Sequence, residues 1–174
     1  VNLPRQLYAA IVRSPHAHAR VRSVDIAAAR AAQGVHAVLT GADLAADGLG
    51  HLPSDGNRKR RDGSPAFKTP RPALALDRVR HVGDPVALVV AETPGQAVDA
   101  AELVVVDYEP LPVVGATRAA NQPDAPAVWD EVPDNVAFVW EAGQKEAVAR
   151  AFETAQHVTR VDFTVTRVAA AAIE

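Results

Sequence analysis

Two histidines, His16 and His18, stand two residues apart in the run Ser14-Pro15-His16-Ala17-His18. In an extended chain such neighbours project to one side, a spacing that can chelate a metal ion. A metal site needs a third ligand, and no acidic or histidine partner lies close in sequence. The plainer reading is a turn whose imidazoles bond nearby backbone. Asp107 and Glu109 share the same spacing, which would put both carboxylates on one strand face, as a general acid and base require. Nothing in the sequence supplies the pocket that would raise the pKa of one of them, and Pro110 closes the segment as it closes an ordinary half-exposed strand. A hydrolase using Asp107, Glu109 and one of His16, His18 or His81 therefore has no spacing to tie its members together. Arg58-Lys59-Arg60-Arg61 is a dense basic run, but Asp55 and Asp62 flank it and no aromatic interleaves it. That suits a solvated or subunit-facing loop better than a nucleic-acid contact. No GxGxxG, GxxxxGK[ST], GxSxG or HExxH pattern occurs, so phosphate cradles, nucleophile elbows and zincin helices are not indicated.

The whole chain bounds these candidates. It has 174 residues, 48% hydrophobic and 5% aromatic, with a net charge of -3 and no cysteine. That length suits one domain over residues 1–174, with a core of alanine, valine and leucine that depends on close packing of small side chains. Without cysteine there is no disulfide, no thiolate metal site and no cysteine-held iron–sulfur cluster in the chain. The mildly acidic balance gives no general field toward nucleic acid. No apolar run approaches the roughly 20 residues that span a bilayer, and no signal peptide opens the chain, so a cytoplasmic protein is expected. The opening VNLPRQLYAAIVR reads like the inside of a domain, and an excised piece of a longer protein is the expectation.

Elements must position these residues. Residues 7–13 and 21–26 read as strands, 27–33 as a helix stopped at Gly34, and 35–39 as a further strand. The sequence of residues 40–43 breaks that strand and opens a short helical turn. Residues 46–72 are rich in Gly, Pro, Asp and Arg and are expected to form a long, partly mobile loop. Residues 86–91 (VALVVA) are an apolar, β-branched run expected to be buried on both faces. Thr93 caps a helix with Pro94 at its first position and Gln96 three residues on, and Ala97, Ala100, Ala101 and Val104 give it an apolar face. Residues 104–108 form the next strand. Residues 114–126 are irregular, 135–141 read as a strand, 143–154 as an amphipathic helix, and 157–168 as a long alternating strand.

The wording of these segments is more informative than their chemistry. VGDPVALVVAET followed by a short helix and VDYEPLP resembles the N-terminal domain of the large, molybdenum-binding subunit of the xanthine dehydrogenase, aldehyde oxidase and carbon monoxide dehydrogenase family. LYAAIVRSPHAHARV, GVHAVLTGADL, RPALALDRVRHVGDPVALVVAE and AAELVVVDYEPLP match in order. So do Val128-Trp129-Asp130, Asn135-Val136-Ala137 and the closing RVDFTVTRVAAAAIE. The resemblance implies an α+β fold of the α/β-hammerhead type, a mixed sheet carrying two helices and the long irregular loop 46–72.

It also implies a scaffold role. In that family the molybdopterin-binding and catalytic segments lie further along the subunit, so no catalytic, cofactor-binding or metal residue is carried over to any position here. The parent enzyme would be an oxidoreductase using molybdopterin (molybdenum), with iron–sulfur clusters and FAD on partner domains or subunits. This piece would pack on the remainder of the molybdenum subunit and on those partners, with no nucleic acid and no membrane span. Purines, aldehydes, aromatic heterocycles and carbon monoxide all remain open as substrates. The alternative is an independent binding module that recognises its ligand through the 46–72 loop.

Overall fold

The computed structural model describes residues 3–53 and 56–163. It divides into two compact units, residues 1–139 and residues 140–174. In the first unit the order is β1 (Tyr8–Arg13), β2 (Ala19–Asp25), α1 (Ala27–Ala31), β3 (Val35–Thr40), α2 (Gly41–Ala46), β4 (Arg78–Val79), β5 (Pro85–Ala91), α3 (Pro94–Glu102) and β6 (Val105–Pro110). The strands form two three-stranded sheets, β1-β5-β3 and β4-β2-β6. All pairings in both are antiparallel. The hammerhead α+β class is as expected, but the single mixed sheet resolves into two antiparallel ones.

The run 85–91 is the hinge of this arrangement. β5 is the central strand of the first sheet, where Ile11 and Leu39 both register against Leu88. Strand residues alternate faces, and β5 uses that to enter two cores. Val89 packs with Val38, Ala29 and Ala100 beneath α1 and α3. Val86, at the start of the strand, joins Ala19, Ala75 and Val79 in the core of the second sheet, against Val21, Val24, Val106 and Tyr108. The expectation that both faces of β5 are covered needs correction. Val86 and Val89, on opposite faces, are fully buried, whereas Leu88 and Val90, on the Val86 face, are half-buried, because the second core covers that face only at the start of the strand.

β5 and β6, adjacent in sequence around α3, end in different sheets. Between them the Thr93 hydroxyl accepts from the Gln96 N–H at 3.2 Å, capping α3 with Pro94 in its first turn. β6 pairs only with β2, so Val106 and Tyr108 turn inward while Val105 is 65% exposed. Thr40 caps α2 in a full capping box with Asp43.

The segment 135–141 is not a strand. Asn135 sits in the left-handed region at φ 55°, and the residues after it lie along the 46–72 loop with irregular hydrogen bonds. The Phe67 N–H donates to the Ala137 carbonyl at 3.0 Å, and the Val139 N–H to the Lys59 carbonyl at 3.1 Å. In the second unit α4 (Lys145–Thr154) forms as the periodicity indicates, with no buried residue. Residues 157–163 are irregular instead of the expected strand, and the rest of that segment lies outside the described residues. No helix among the described residues is long and apolar enough to cross a membrane.

Candidate functional site

The sequence-selected side chains are drawn into structural contacts. Ser14 is 2% exposed; its hydroxyl accepts from the His16 N–H at 3.0 Å and tightens the turn after β1. That turn docks on the one before β5. The Ser14 N–H donates to the Asp84 carbonyl at 2.9 Å, and the Gly83 N–H to the Ser14 carbonyl at 2.8 Å. Gly83 has φ 89°, a conformation that disfavours a side chain. The Asp84 carboxylate accepts from the Arg80 N–H at 2.9 Å. Thus RSPHAHA and RHVGDP, two of the most recognisable stretches in the sequence, form the two halves of one lock.

His16 lies against the Tyr108 ring, centroids 4.8 Å apart. Burial pushes the Tyr108 phenol up, partly opposed by a hydrogen bond with Ser14. His18 is 7% exposed, and its Nδ1 lies 3.0 Å from the Pro112 carbonyl. A carbonyl only accepts, so Nδ1 carries the proton; Nε2 is buried with no partner. The two histidines thus occupy different environments. Glu109 pairs with Arg22 at 3.4 Å and Asp107 is exposed, so these carboxylates share no pocket. His81 is an exposed side chain 3.6 Å from Asp84. In the basic run, the Arg60 guanidinium donates to the Val136 carbonyl and to Asp134, each at 2.6 Å, and Arg58 lies over the Phe138 ring at 4.5 Å. These are intramolecular anchors. Among the described residues no three His, Asp or Glu side chains gather as metal ligands.

What the spacing did not single out is a cleft of about 380 Å³ between α2, residues 49–51, residues 70–77 and residues 129–131. Leu44, Leu49, Leu74 and Leu76 supply apolar wall, and Arg80 and Trp129 lie together at it. The Arg80 guanidinium carbon is 3.6 Å from the Trp129 ring centroid, a cation–π stack. Its Nε donates to the Val128 carbonyl at 3.3 Å.

Trp129 is held from three sides. Asn135 donates to the Ala120 and Pro126 carbonyls at 2.8 and 3.0 Å and accepts from the Val128 N–H at 2.9 Å. Arg78 reaches both oxygens of Asp130 at 3.2 and 3.3 Å, which lowers the Asp130 pKa. Phe67 tilts against the indole at 5.5 Å. Gly41 closes the α2 side, where a Cβ would run into the Ala75 carbonyl. The sequence signal for this cleft was an arginine placed between a buried valine and a turn, together with the Val128-Trp129-Asp130 and Asn135-Val136-Ala137 words.

Comparison with known proteins gives this architecture its relatives. Residues 1–112 match the family described as aldehyde oxidase and xanthine dehydrogenase, a/b hammerhead domain. The carbon monoxide dehydrogenase large chain of Afipia carboxidovorans is 38% identical over 97% of this chain and 21% of its own length. The nicotine 6-hydroxylase large subunit of Paenarthrobacter nicotinovorans is 39% identical over 100% of this chain and 20% of its own. Among solved structures, Cu,Mo-CO dehydrogenase in its carbon monoxide reduced state superposes with a TM-score of 0.74 at 37% identity, covering 90% of this chain and 20% of that one. The chain therefore spans about a fifth of the length of these relatives.

Proposed function

Since the chain belongs to the aldehyde oxidase and xanthine dehydrogenase a/b hammerhead family, we propose that it is a scaffold domain of a molybdenum-hydroxylase large subunit. The observation that carries this reading is the lock between the two motif turns. Ser14, Gly83 and Asp84 use their polar groups to hold backbone, as a part that sets the geometry of its neighbours must.

In this reading no residue of this chain holds a molybdenum cofactor. The buried polar side chains Ser14, His18 and Thr40 belong to separate contacts, with the His16 N–H, the Pro112 carbonyl and Asp43 respectively. Molybdopterin would be held by the remainder of the large subunit, with iron–sulfur clusters and FAD on partner subunits or domains. No chemical step is assigned to this chain. Substrate choice would likewise be made elsewhere, which accords with relatives named for substrates as different as carbon monoxide and nicotine.

The purified 174-residue chain is expected to contain no stoichiometric molybdenum, iron or flavin. It should also reduce no dye acceptor with purines, aldehydes, N-heterocycles or carbon monoxide. Elemental analysis and a dye-linked assay check this, and turnover by the isolated chain would overturn the scaffold reading.

A further inference from the structure

Arg80 is the least expected group in the molecule. Its guanidinium is half-buried, and desolvation lowers its pKa against the pull of nearby acids. Among the described residues no carboxylate makes an ion pair with it, although Arg22, Arg30, Arg60 and Arg78 each have one. Its contacts are the Trp129 face and the carbonyls of Val128 and Arg78. A partly desolvated cation with no carboxylate in direct contact is costly. Asp77, Glu131 and Asp84 act on it without forming an ion pair, and it stands at an apolar cleft of the size that takes small ligands.

We propose that this cleft binds a small monocarboxylate with a compact apolar body, its carboxylate on Arg80 and its body against Leu44, Leu49 and Leu74. Guanidinium offers a planar fork that matches a carboxylate. Stacking on Trp129 and the bond to Val128 hold that fork in place before any ligand arrives.

Asp77 and Glu131 also line the cleft, and they set its selectivity. Both are exposed, so water and salt screen them far more than Arg80. Both act on Arg80 and pull its pKa upward, and their charge in the same cleft would oppose a second carboxylate on the ligand. The preferred class is therefore a monoacid over a diacid. This site is independent of the scaffold reading, because it needs no cofactor and no other part of the subunit.

The test is a titration of the 174-residue chain carrying Trp140→Phe, so that Trp129 alone reports by fluorescence. The probes are hexanoate, hexanamide, adipate and hexylammonium. Hexanoate should bind about tenfold tighter than hexanamide, the ratio expected of one charge-assisted hydrogen bond in a partly desolvated site, and adipate should bind more weakly than hexanoate. Arg80→Met should abolish the preference for hexanoate while circular dichroism stays native. Should that variant unfold, the four probes on the parent chain still decide. Equal binding of acid and amide, tightest binding of hexylammonium, or no binding would each overturn the proposal. So would tight binding of a blocked Leu-Glu-Leu peptide without binding of hexanoate, which would make the cleft a socket for protein.

Discussion

Single side chains in this protein do local, identifiable work, and Asp43 shows how far that can be pressed. Its carboxylate accepts from the Thr40 N–H at 2.7 Å and from the Thr40 hydroxyl at 2.6 Å, closing the capping box of α2. Its other oxygen lies 3.6 Å from Arg30. The Thr40 hydroxyl above all, then the Thr40 N–H and Arg30, hold its pKa below the usual carboxylate range. A depressed carboxyl pKa contributes stability that is complete above the unfolded value, about 4, and is lost as pH falls through the folded value. The stability gap between the parent and Asp43→Asn should therefore shrink as pH falls from about 5 to about 2. Urea melts across that range check it, and a gap independent of pH would show that the cap acts without its charge. This cap was only half legible: residues 40–43 announced a break and a helical turn, but not that Asp43 reaches back to Thr40. The histidines teach the converse. The spacing of His16 and His18 is a property of an extended chain, and the Ser14 turn removes that premise by sending one ring to Tyr108 and the other to Pro112.

At the scale of elements, sequence period located strands well and their neighbours poorly. The run 86–91 was evidently a strand, yet apolar content alone does not say which of its faces is dry. The sheet pairing decides that, by placing α1 and α3 over Val89 and leaving Leu88 half-buried. β6 opens on two valines, and its edge position leaves Val105 mostly exposed. Val79, close to the turn region by sequence, is fully buried because β4 pairs with β2 at Ala19. Truncation to alanine should thus cost about 2 kcal/mol at Val89 and at Val79, the order expected for burying a valine. Leu88 should cost less than a fully enclosed leucine, and Val105 should stay within about 0.5 kcal/mol of the parent. Chemical denaturation of the four variants gives the ordering. A Val105→Ala cost equal to that of Val89→Ala would mean that β6 is covered in solution. The 46–72 loop was legible as irregular, but its partner was not, because the bonds of Phe67 and Lys59 to residues 137 and 139 follow no period.

For the whole molecule, the sequence resembled one continuous domain, and the described residues concentrate their burial in the first unit. Both hydrophobic clusters draw on residues between Ala19 and Tyr108, and among the described residues the buried one furthest along the chain is Val132. α4, by contrast, has an apolar stripe at Val148 and Phe152, both more than half exposed. Helical periodicity tells which face of α4 is apolar and nothing about what covers it, so the family words in the second unit were easier to read than its packing. Stability follows buried apolar area, and among the described residues both core clusters are made of residues before Leu111. A chain ending at Val139 should therefore keep a cooperative urea transition, with a stability within about 1 kcal/mol of the parent and a slightly smaller denaturant slope for the surface removed. Loss of the cooperative transition in that truncated chain would show that residues 140–174 belong to the folding unit, and that the stripe on α4 is part of the core and not an outer face.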